Sequence, residues 1–398
     1  MEKTLPSKTD LNFNNTAIAF SYKTDEELKR AAWLFKMMSN SWLVRFGSKV
    51  GINAMKLNLP LAESTIKSTI FEHFCGGTTL LNSQDTIEKL YKNKVQSVLD
   101  YGAEAKTKEK DFNNSMNQAI RAIEFAATTK SISTISVKVT ALARFGLLQK
   151  IQSDNPLSEE ETKEYQYILK RIDSICYAGH DKKVKVFIDA EESWIQNTID
   201  FIARRMMRRY NKEQAIVFNT FQLYRRHKID YLFESHDDAK KEGYILGAKL
   251  VRGAYMEKER ARATALKYPS PIQTNKRATD NDYNTAIHFC VDNYLTIASI
   301  AATHNQESCM LQAGLITVKG LKKNHPHLNF CQLYGMGDNI SLNLAEAGFN
   351  IAKYMVYGPV KEVIPFLIRR AEENTSITGE VGREYNLVMR EMRRRGLA

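Results

Sequence analysis

Polar side chains close a series of short apolar runs along this chain. Asp189 ends Val-Lys-Val-Phe-Ile and is followed closely by Glu191, and Lys138 sits inside Ser136-Val-Lys-Val-Thr140. Asp100, Asn219, Arg252 with Tyr255, Thr303-His304-Asn305, Gln332 and Tyr357 stand at comparable places. Carboxylates, cations, amides and hydroxyls gathered at strand ends can bind a polar small molecule and steer its charge and protons. Any one of them alone is an ordinary turn or cap residue; eight on one rim make a site.

Two features sharpen that chemistry. The β-branched neighbours of Lys138 predict a buried stem, and a buried ammonium needs a carboxylate or an anionic ligand. Asp189, closing the next run, is the natural partner, either as a structural ion pair or as part of a site. Arg369-Arg370 lies on a helical segment, Val360–Glu373, whose apolar stripe is Val363, Ile364, Leu367, Ile368 and Ala371. Adjacent helical residues project about 100° apart. Planar guanidinium forks suit a carboxylate or phosphate; a solvated face beside Glu372 and Glu373 is the plainer reading.

The elements that must position these groups fall into two parts. Residues 1–93 read as a helical segment packed on the remainder of the chain. Thr24 and Glu27 form a capping-box pattern, and Leu28, Ala31, Ala32, Leu34, Phe35 and Met38 recur at helical spacing. Trp42, Leu43, Val44 and Phe46 continue the apolar face, and Gly76-Gly77 ends the helical region. Residues 94–398 alternate β-rich and helical runs. Strands are expected at Val95–Tyr101, Thr134–Thr140, Val184–Asp189, Ala215–Phe221, Leu246–Val251, Ser299–Thr303, Leu328–Leu333 and Ile351–Tyr357, with helices such as Glu191–Tyr210 and Ala278–Tyr294 between them. Eight such repeats predict an α/β fold, a (β/α)8 TIM-like barrel with an N-terminal helical segment. A doubly wound sheet is the runner-up, but no Gly-x-Gly-x-x-Gly follows any strand.

Composition narrows the class. The 398 residues are 43% apolar and 26% charged, globular values. Lys and Arg number 57 against 45 Asp and Glu, a net charge of +12. The excess is spread along the chain, so an anionic ligand or lipid explains it as well as nucleic acid does. Arg204, Arg205, Arg208 and Arg209 fall opposite Ile199, Ile202 and Met206 and read as a solvated helix face; Arg393-Arg394-Arg395 can touch lipid headgroups or nothing. No apolar run approaches the roughly 18–20 residues that span a bilayer. Five well-separated cysteines form no Cys-x-x-Cys pair and read as thiols of a reducing compartment, with no zinc site. No second His stands at ligand spacing from His304, so no metal is expected.

Five segments in order carry a family resemblance: Asp189-Ala-Glu-Glu192, Lys249-Leu-Val-Arg-Gly-Ala-Tyr255, Ala302-Thr-His-Asn305, Gln332-Leu-Tyr-Gly-Met-Gly337 and Arg369-Arg-Ala-Glu-Glu-Asn374. The series closely resembles the proline dehydrogenases (proline oxidases) from about Val95 to Asn374. It looks closer to the monofunctional and mitochondrial branch than to the bifunctional bacterial proline utilisation proteins. The resemblance implies a distorted (β/α)8 barrel that binds FAD at its carboxyl rim and oxidises L-proline to Δ1-pyrroline-5-carboxylate. Hydride would pass from proline C5 to flavin N5, and electrons onward to a membrane quinone. By the matched positions, Asp189 and Lys249 are the catalytic candidates. Lys138, Arg369 and Arg370 would hold the substrate carboxylate, while Tyr255, Leu333 and Tyr357 would wall its ring. Asn219, Lys249, Val251, Arg252, Gly253, Thr303, His304 and Gln332 would contact the cofactor.

Two departures stand out. Where the bifunctional branch reads Arg-Leu-Val-Lys, this chain has Lys249-Leu-Val-Arg252, which favours Lys249 as the flavin N5 partner; Phe366 replaces a Tyr of some relatives. Hydroxyproline oxidation is the nearest alternative. Relatives with that preference tend to have a smaller residue where Tyr357 stands, so Tyr357 favours proline. A nucleic-acid-binding regulator carries little weight, since no basic ribbon-helix-helix segment precedes the helical lead-in, and no nucleic acid partner is expected. A non-catalytic scaffold leaves the polar strand ends unexplained. The acidic residues near Met1 favour a bacterial cytoplasmic protein, peripheral on the inner membrane through the Trp33/Trp42 helix or the Arg393–Arg395 tail; a mitochondrial location is the alternative.

Overall fold

The computed structural model describes residues 11–39, 62–102, 107–376 and 380–398. The apolar cluster Trp42–Phe46 lies outside them. The fold is a closed, eight-stranded parallel (β/α)8 barrel. Its strands are β2 (Gln96–Tyr101), β3 (Ile132–Val137), β4 (Lys185–Ile188), β5 (Val217–Gln222), β6 (Leu246–Val251), β7 (Ile297–Ala302), β8 (Leu328–Leu333) and β9 (Ile351–Tyr357). A short strand, β1 (Cys75–Gly77), precedes them. All eight expected strands are present, most shifted by one to three residues at an end.

Gly76-Gly77 corrects one expectation. The helical residues do stop there, but the glycines belong to β1, which pairs in parallel with β9 (Cys75 opposite Val356). A Cβ on Gly76 would stand 2.2 Å from the Met355 sulfur, so a larger residue there would have to displace the Met355 side chain.

Over the described residues the chain divides into two compact units, one within 107–331 and one formed by 11–102 with 332–398. The boundary expected near residue 93 therefore falls inside the second unit, which takes in the C-terminal helices as well.

In the first unit β3 to β8 pair in parallel, each with the next in sequence up to the end of the unit, in registers such as Ser136–Phe187, Thr220–Lys249 and Lys249–Ile300. Side chains alternate between the two sheet faces. Ser136, Phe187 and Lys249 share one face, because Lys249 Nζ lies 5.1 Å from the Phe187 ring centre and both Lys249 and Ser136 reach Asp189. The other face of β5 meets helices: Phe221 stacks on Tyr231 of helix Lys228–Glu242. Helix Ser193–Tyr210 buries Ile199, Ile202 and Met206 as its periodicity requires, and directs Arg208 and Arg209 outward to Asp238 and Asp173, each at 2.9 Å. No cysteine is in a disulfide, and all five are buried.

In the second unit helix Asp25–Met38 has the expected capping box and buries the expected stripe. Helix Glu380–Arg394 packs on it. Beneath lies a buried charge cluster. Lys353 of β9, fully enclosed, pairs with Asp338 at 2.9 Å, and Asp338 also takes Lys23 at 3.4 Å and the Tyr22 hydroxyl at 2.9 Å. Burial works to raise the Asp338 carboxyl, but Lys353 and Lys23 override it and hold it well below the usual carboxylate range. Among the described residues no helix is long and apolar enough to cross a membrane.

Gly247 shows how tightly the first unit is packed. A Cβ there would stand 2.2 Å from the Val217 carbonyl oxygen and 2.9 Å from Phe218 Cα, both backbone atoms. Gly247→Ala should destabilise the protein by about 1–3 kcal/mol, the usual range for overpacking. A chemical-denaturation midpoint equal to that of the unaltered protein would refute this packing.

Candidate active site

The carboxyl ends of β3, β4 and β6 bring three charged side chains together. Asp189, one residue past β4, accepts from Lys249 Nζ at 2.6 Å and from Ser136 Oγ at 2.8 Å, both on Oδ1. Lys138 Nζ lies 3.6 Å from Oδ2. All three charged groups are nearly enclosed, with side-chain exposures of 7–11%. The backbone fixes the carboxylate as well, since Asp189 N–H donates to the Val137 carbonyl at 2.9 Å. Two cations share this carboxylate, and Lys138 also lies close enough to Glu191 for its charge to act on that carboxyl.

Glu191 braces the same rim. Its carboxylate accepts from the Thr140 N–H at 3.0 Å and from the Thr140 hydroxyl, and its own N–H donates to Gln196 at 2.7 Å. Burial pushes its pKa up from the usual 4.5 to about 7; the Thr140 bonds oppose that and nearby Glu192 adds to it.

Asn219 is placed differently from its expected role. It lies inside β5 on the helix-facing side, where its amide donates to Asp200 at 2.9 Å; Asp200 also holds buried Lys228 and Gln196. β5 runs one residue further than expected, and alternation puts Gln222 on the face opposite Asn219. Gln222 reaches the Glu191 carbonyl at 2.9 Å. Sequence reasoning misses it because the run Val-Phe-Asn-Thr-Phe reads as complete at Phe221; a polar residue directly after an apolar run is the available signal.

The end of β6 separates the two exchanged basic residues. Lys249 joins Asp189, whereas Arg252 turns to Asp280 at 2.7 Å, Thr303 at 2.5 Å and Ser308 at 3.1 Å, with its guanidinium 4.3 Å from the Tyr283 ring. Thr303 also accepts from the Asn305 N–H at 3.1 Å, which fixes the turn bearing His304. Val251, on the Lys249 face, closes β6. Gly253 needs to be glycine: φ is +143°, and a Cβ would stand 2.3 Å from the Tyr224 ring. Tyr255 is buried just before helix Met256–Leu266.

In the second unit Tyr357 ends β9 and is buried against Tyr101, ring centres 5.6 Å apart. Its hydroxyl has no hydrogen-bond partner among the described residues, and burial raises its pKa well above the ordinary tyrosine value. Gln332 accepts from Ser341 at 2.9 Å, and Leu333, half-buried, follows it at the end of β8. Arg369 and Arg370 are half-buried on helix Val360–Ser376, with the Arg370 guanidinium 5.6 Å from the Phe366 ring. The C-terminal arginines are less available than expected. Arg394 and Arg395 both pair with Glu391 at 2.8 Å, and Arg395 also holds Asp25 at 3.0 Å, leaving Arg393 as the exposed member without such a tie among the described residues.

Comparison with known proteins places this geometry. The family model described as proline dehydrogenase matches residues 83–383. Proline dehydrogenase 1, mitochondrial, of Arabidopsis thaliana is 32% identical over 84% of this chain and 75% of its own length. Hydroxyproline dehydrogenase of Xenopus laevis is 28% identical over 97% of this chain and 90% of its own. Among solved structures, proline utilization A from Bdellovibrio bacteriovorus, inactivated by N-propargylglycine, superposes with a TM-score of 0.72 at 20% identity. It covers 94% of this chain, which spans 40% of that longer protein's length.

Glu191 makes a prediction about pH. Its folded pKa, about 7, lies above its unfolded value near 4.5, so the folded state holds a proton that the unfolded state releases between them. Its stabilising contribution is complete below about pH 4.5 and is lost as pH rises through about 7. Burial pushes Glu384 in the second unit up to about 7 with the same sign. Glu191→Gln should therefore flatten, without abolishing, the fall in melting temperature between pH 4.5 and 7; an unchanged slope would contradict the assignment.

Proposed function

We propose that this chain, which belongs to the proline dehydrogenase family, oxidises L-proline to Δ1-pyrroline-5-carboxylate with FAD as its hydride acceptor and a membrane quinone as the onward acceptor. One observation supports the site most directly: Asp189 shared by Lys138 and Lys249 at the strand ends.

Proline is a zwitterion, and its ring nitrogen must lose a proton before the C5 hydrogen can leave as hydride. The positive charges of Lys138 and Lys249 lower the affinity of a bound amine for that proton. Arg369 and Arg370, each with a planar fork, suit the substrate carboxylate, with Lys138 as a third cation. Tyr255, Leu333 and Tyr357 supply the wall that holds the ring carbons in place.

The residues present fit a flavin. Lys249, Arg252 and Thr303 are donors at the ends of β6 and β7, and Gln222 ends the adjoining β5. Gly253 keeps the turn between them free of a side chain. When bound, FAD supplies the two-electron acceptor. Lys249, on the inner face with Asp189, is the better placed partner for its reactive nitrogen. Arg252, tied to Asp280, Thr303 and Ser308, suits its polar tail, together with Val251, Gly253, Thr303, His304 and Gln332. Asn219 acts through Asp200 and Lys228, beneath that surface.

A quinone acceptor requires access to lipid. Trp33 and Met37, exposed on helix Asp25–Met38, are apolar side chains suited to a peripheral contact. Such a protein would work at the bacterial inner membrane or, like its mitochondrial relatives, at the inner face of the mitochondrial membrane.

Anaerobic L-proline should bleach the flavin absorbance of the purified, FAD-loaded protein. A protein that takes up no FAD, or whose flavin ignores proline, would end this reading; bleaching by hydroxyproline alone would favour the second one. That second reading turns on Tyr357, whose bulk, buried against Tyr101, favours the smaller substrate, proline. Tyr357→Ser should raise kcat/KM for hydroxyproline relative to proline by roughly tenfold, the scale of about 1.4 kcal/mol of differential binding. An unchanged ratio would remove Tyr357 from the specificity argument.

A further inference from the structure

On the helix-facing side of β5 a second set of charged groups is enclosed. Asp200 and Lys228 form an ion pair with side-chain exposures of 5% and 6%. The Lys228 ammonium lies 4.0 Å from the Tyr231 ring centre; burial favours its neutral form, and Asp200 opposes that. Asp200 also accepts two amides on Oδ1, from Gln196 and from Asn219, each at 2.9 Å. A buried pair of this kind adds little net stability over apolar side chains of the same volume, so the fold alone does not call for it.

Gln196 carries this cluster to the strand ends. It stands near the start of helix Ser193–Tyr210 and is fully buried. Its Nε2 donates to Asp200, and its Oε1 accepts the Glu191 N–H at 2.7 Å. A primary amide has one donor end and one acceptor end. A carboxylate only accepts and a backbone N–H only donates, so one orientation of Gln196 serves both neighbours and the reverse serves neither. Asp200 therefore selects the orientation, and Lys228 balances its charge.

The backbone of Glu191 is held on both sides, its N–H by Gln196 and its carbonyl by the Gln222 amide at 2.9 Å. Two residues earlier, Asp189 N–H is bound to the Val137 carbonyl. These bonds leave the turn from Asp189 to Glu191 little freedom. The carboxylate on that turn is the one that Lys249 meets at 2.6 Å and Lys138 at 3.6 Å.

We propose that Asp200 and Gln196 are positioning residues for the reaction. Asp200 sets the Gln196 amide, Gln196 fixes the turn bearing Asp189, and Asp189 holds Lys249 and Lys138. The inference rests on the reading of those three charged groups as the reacting site.

Two measurements test it. The first is anaerobic stopped-flow reduction of the FAD-loaded protein by saturating L-proline, with the rate taken per bound flavin. Asp200→Asn gives its oxygen to Lys228, because the charge-assisted bond is the stronger, and turns its NH2 group toward that of Gln196. Gln196→Met removes the link and leaves the ion pair intact. Each should slow flavin reduction by roughly tenfold to a hundredfold, the scale of a misplaced reacting group. Asp200→Asn/Gln196→Glu presents an acceptor to both neighbours again and should recover most of the rate. The second measurement is amide hydrogen exchange in the FAD-free protein. Exchange at Glu191 should speed up by about tenfold in Asp200→Asn and Gln196→Met, the loss of one buried hydrogen bond. Thr198→Val, which removes a buried bond to the Leu148 carbonyl from the same helix, should lower the melting temperature and change neither readout. Variants that lose stability yet keep the unaltered rate and exchange, or a double variant that recovers nothing, overturn the proposal. Unaltered protein whose flavin proline does not reduce ends the catalytic reading and this inference with it. Normal reduction there, with unchanged rates in Asp200→Asn and Gln196→Met, ends this inference alone.

Discussion

A single buried carboxylate, Asp189, answers for two buried ammonium groups. Lys138 and Lys249 both draw on it, because the cost of stripping water from an isolated ammonium is several kcal/mol. Both lysines are nevertheless held at a strand end, within reach of one anion. The arrangement demands that β3, β4 and β6 end at the same level, with Ser136, Phe187 and Lys249 on one face. A shift of one residue in any of these strands would turn its charged group toward the helices. The tightness around Gly247 and the Asp189 N–H bond to Val137 hold that register.

The second unit follows the same physical rule: one carboxylate, Asp338, is served by two lysines and a tyrosine. There the cluster is closed, since Lys353 also donates to the Met336 carbonyl at 2.5 Å. The two clusters differ in what surrounds them. Asp338 lies under packed helices and is suited to tying β9 to the first and last helical elements of its unit. Asp189 lies at strand ends whose neighbours are Gln222, Val251 and Glu191, polar or half-exposed groups able to face a ligand. Glu191 and Glu384 complete the contrast. Each carboxyl is enclosed, and burial prevails over the donors around it.

The basic character of the chain is resolved unevenly by this architecture. Arg208 and Arg209 of helix Ser193–Tyr210, and Arg394 and Arg395 near the C-terminus, are paired with carboxylates.

Much of this was legible in the residues themselves. Eight β-rich runs of the right length, separated by helical stretches, determine an alternating parallel barrel, because short apolar segments joined by long crossovers have few other ways to be buried. The capping box at Thr24 and Glu27, the stripe from Leu28 to Met38 and the polar strand ends are local patterns, set by neighbours within a few residues. What tertiary structure alone decided is which polar residue faces which way. Asn219 and Gln222 look equally suited to a ligand in sequence, yet three positions in a strand put them on opposite faces. Lys249 and Arg252 look interchangeable, yet one finds Asp189 and the other Asp280, 28 residues further along the chain. Gly76-Gly77 reads as a helix stop until β9, nearly three hundred residues away, offers it a strand to join. Partners so distant in sequence leave no local trace, because their choice depends on register and packing rather than on the residues beside them.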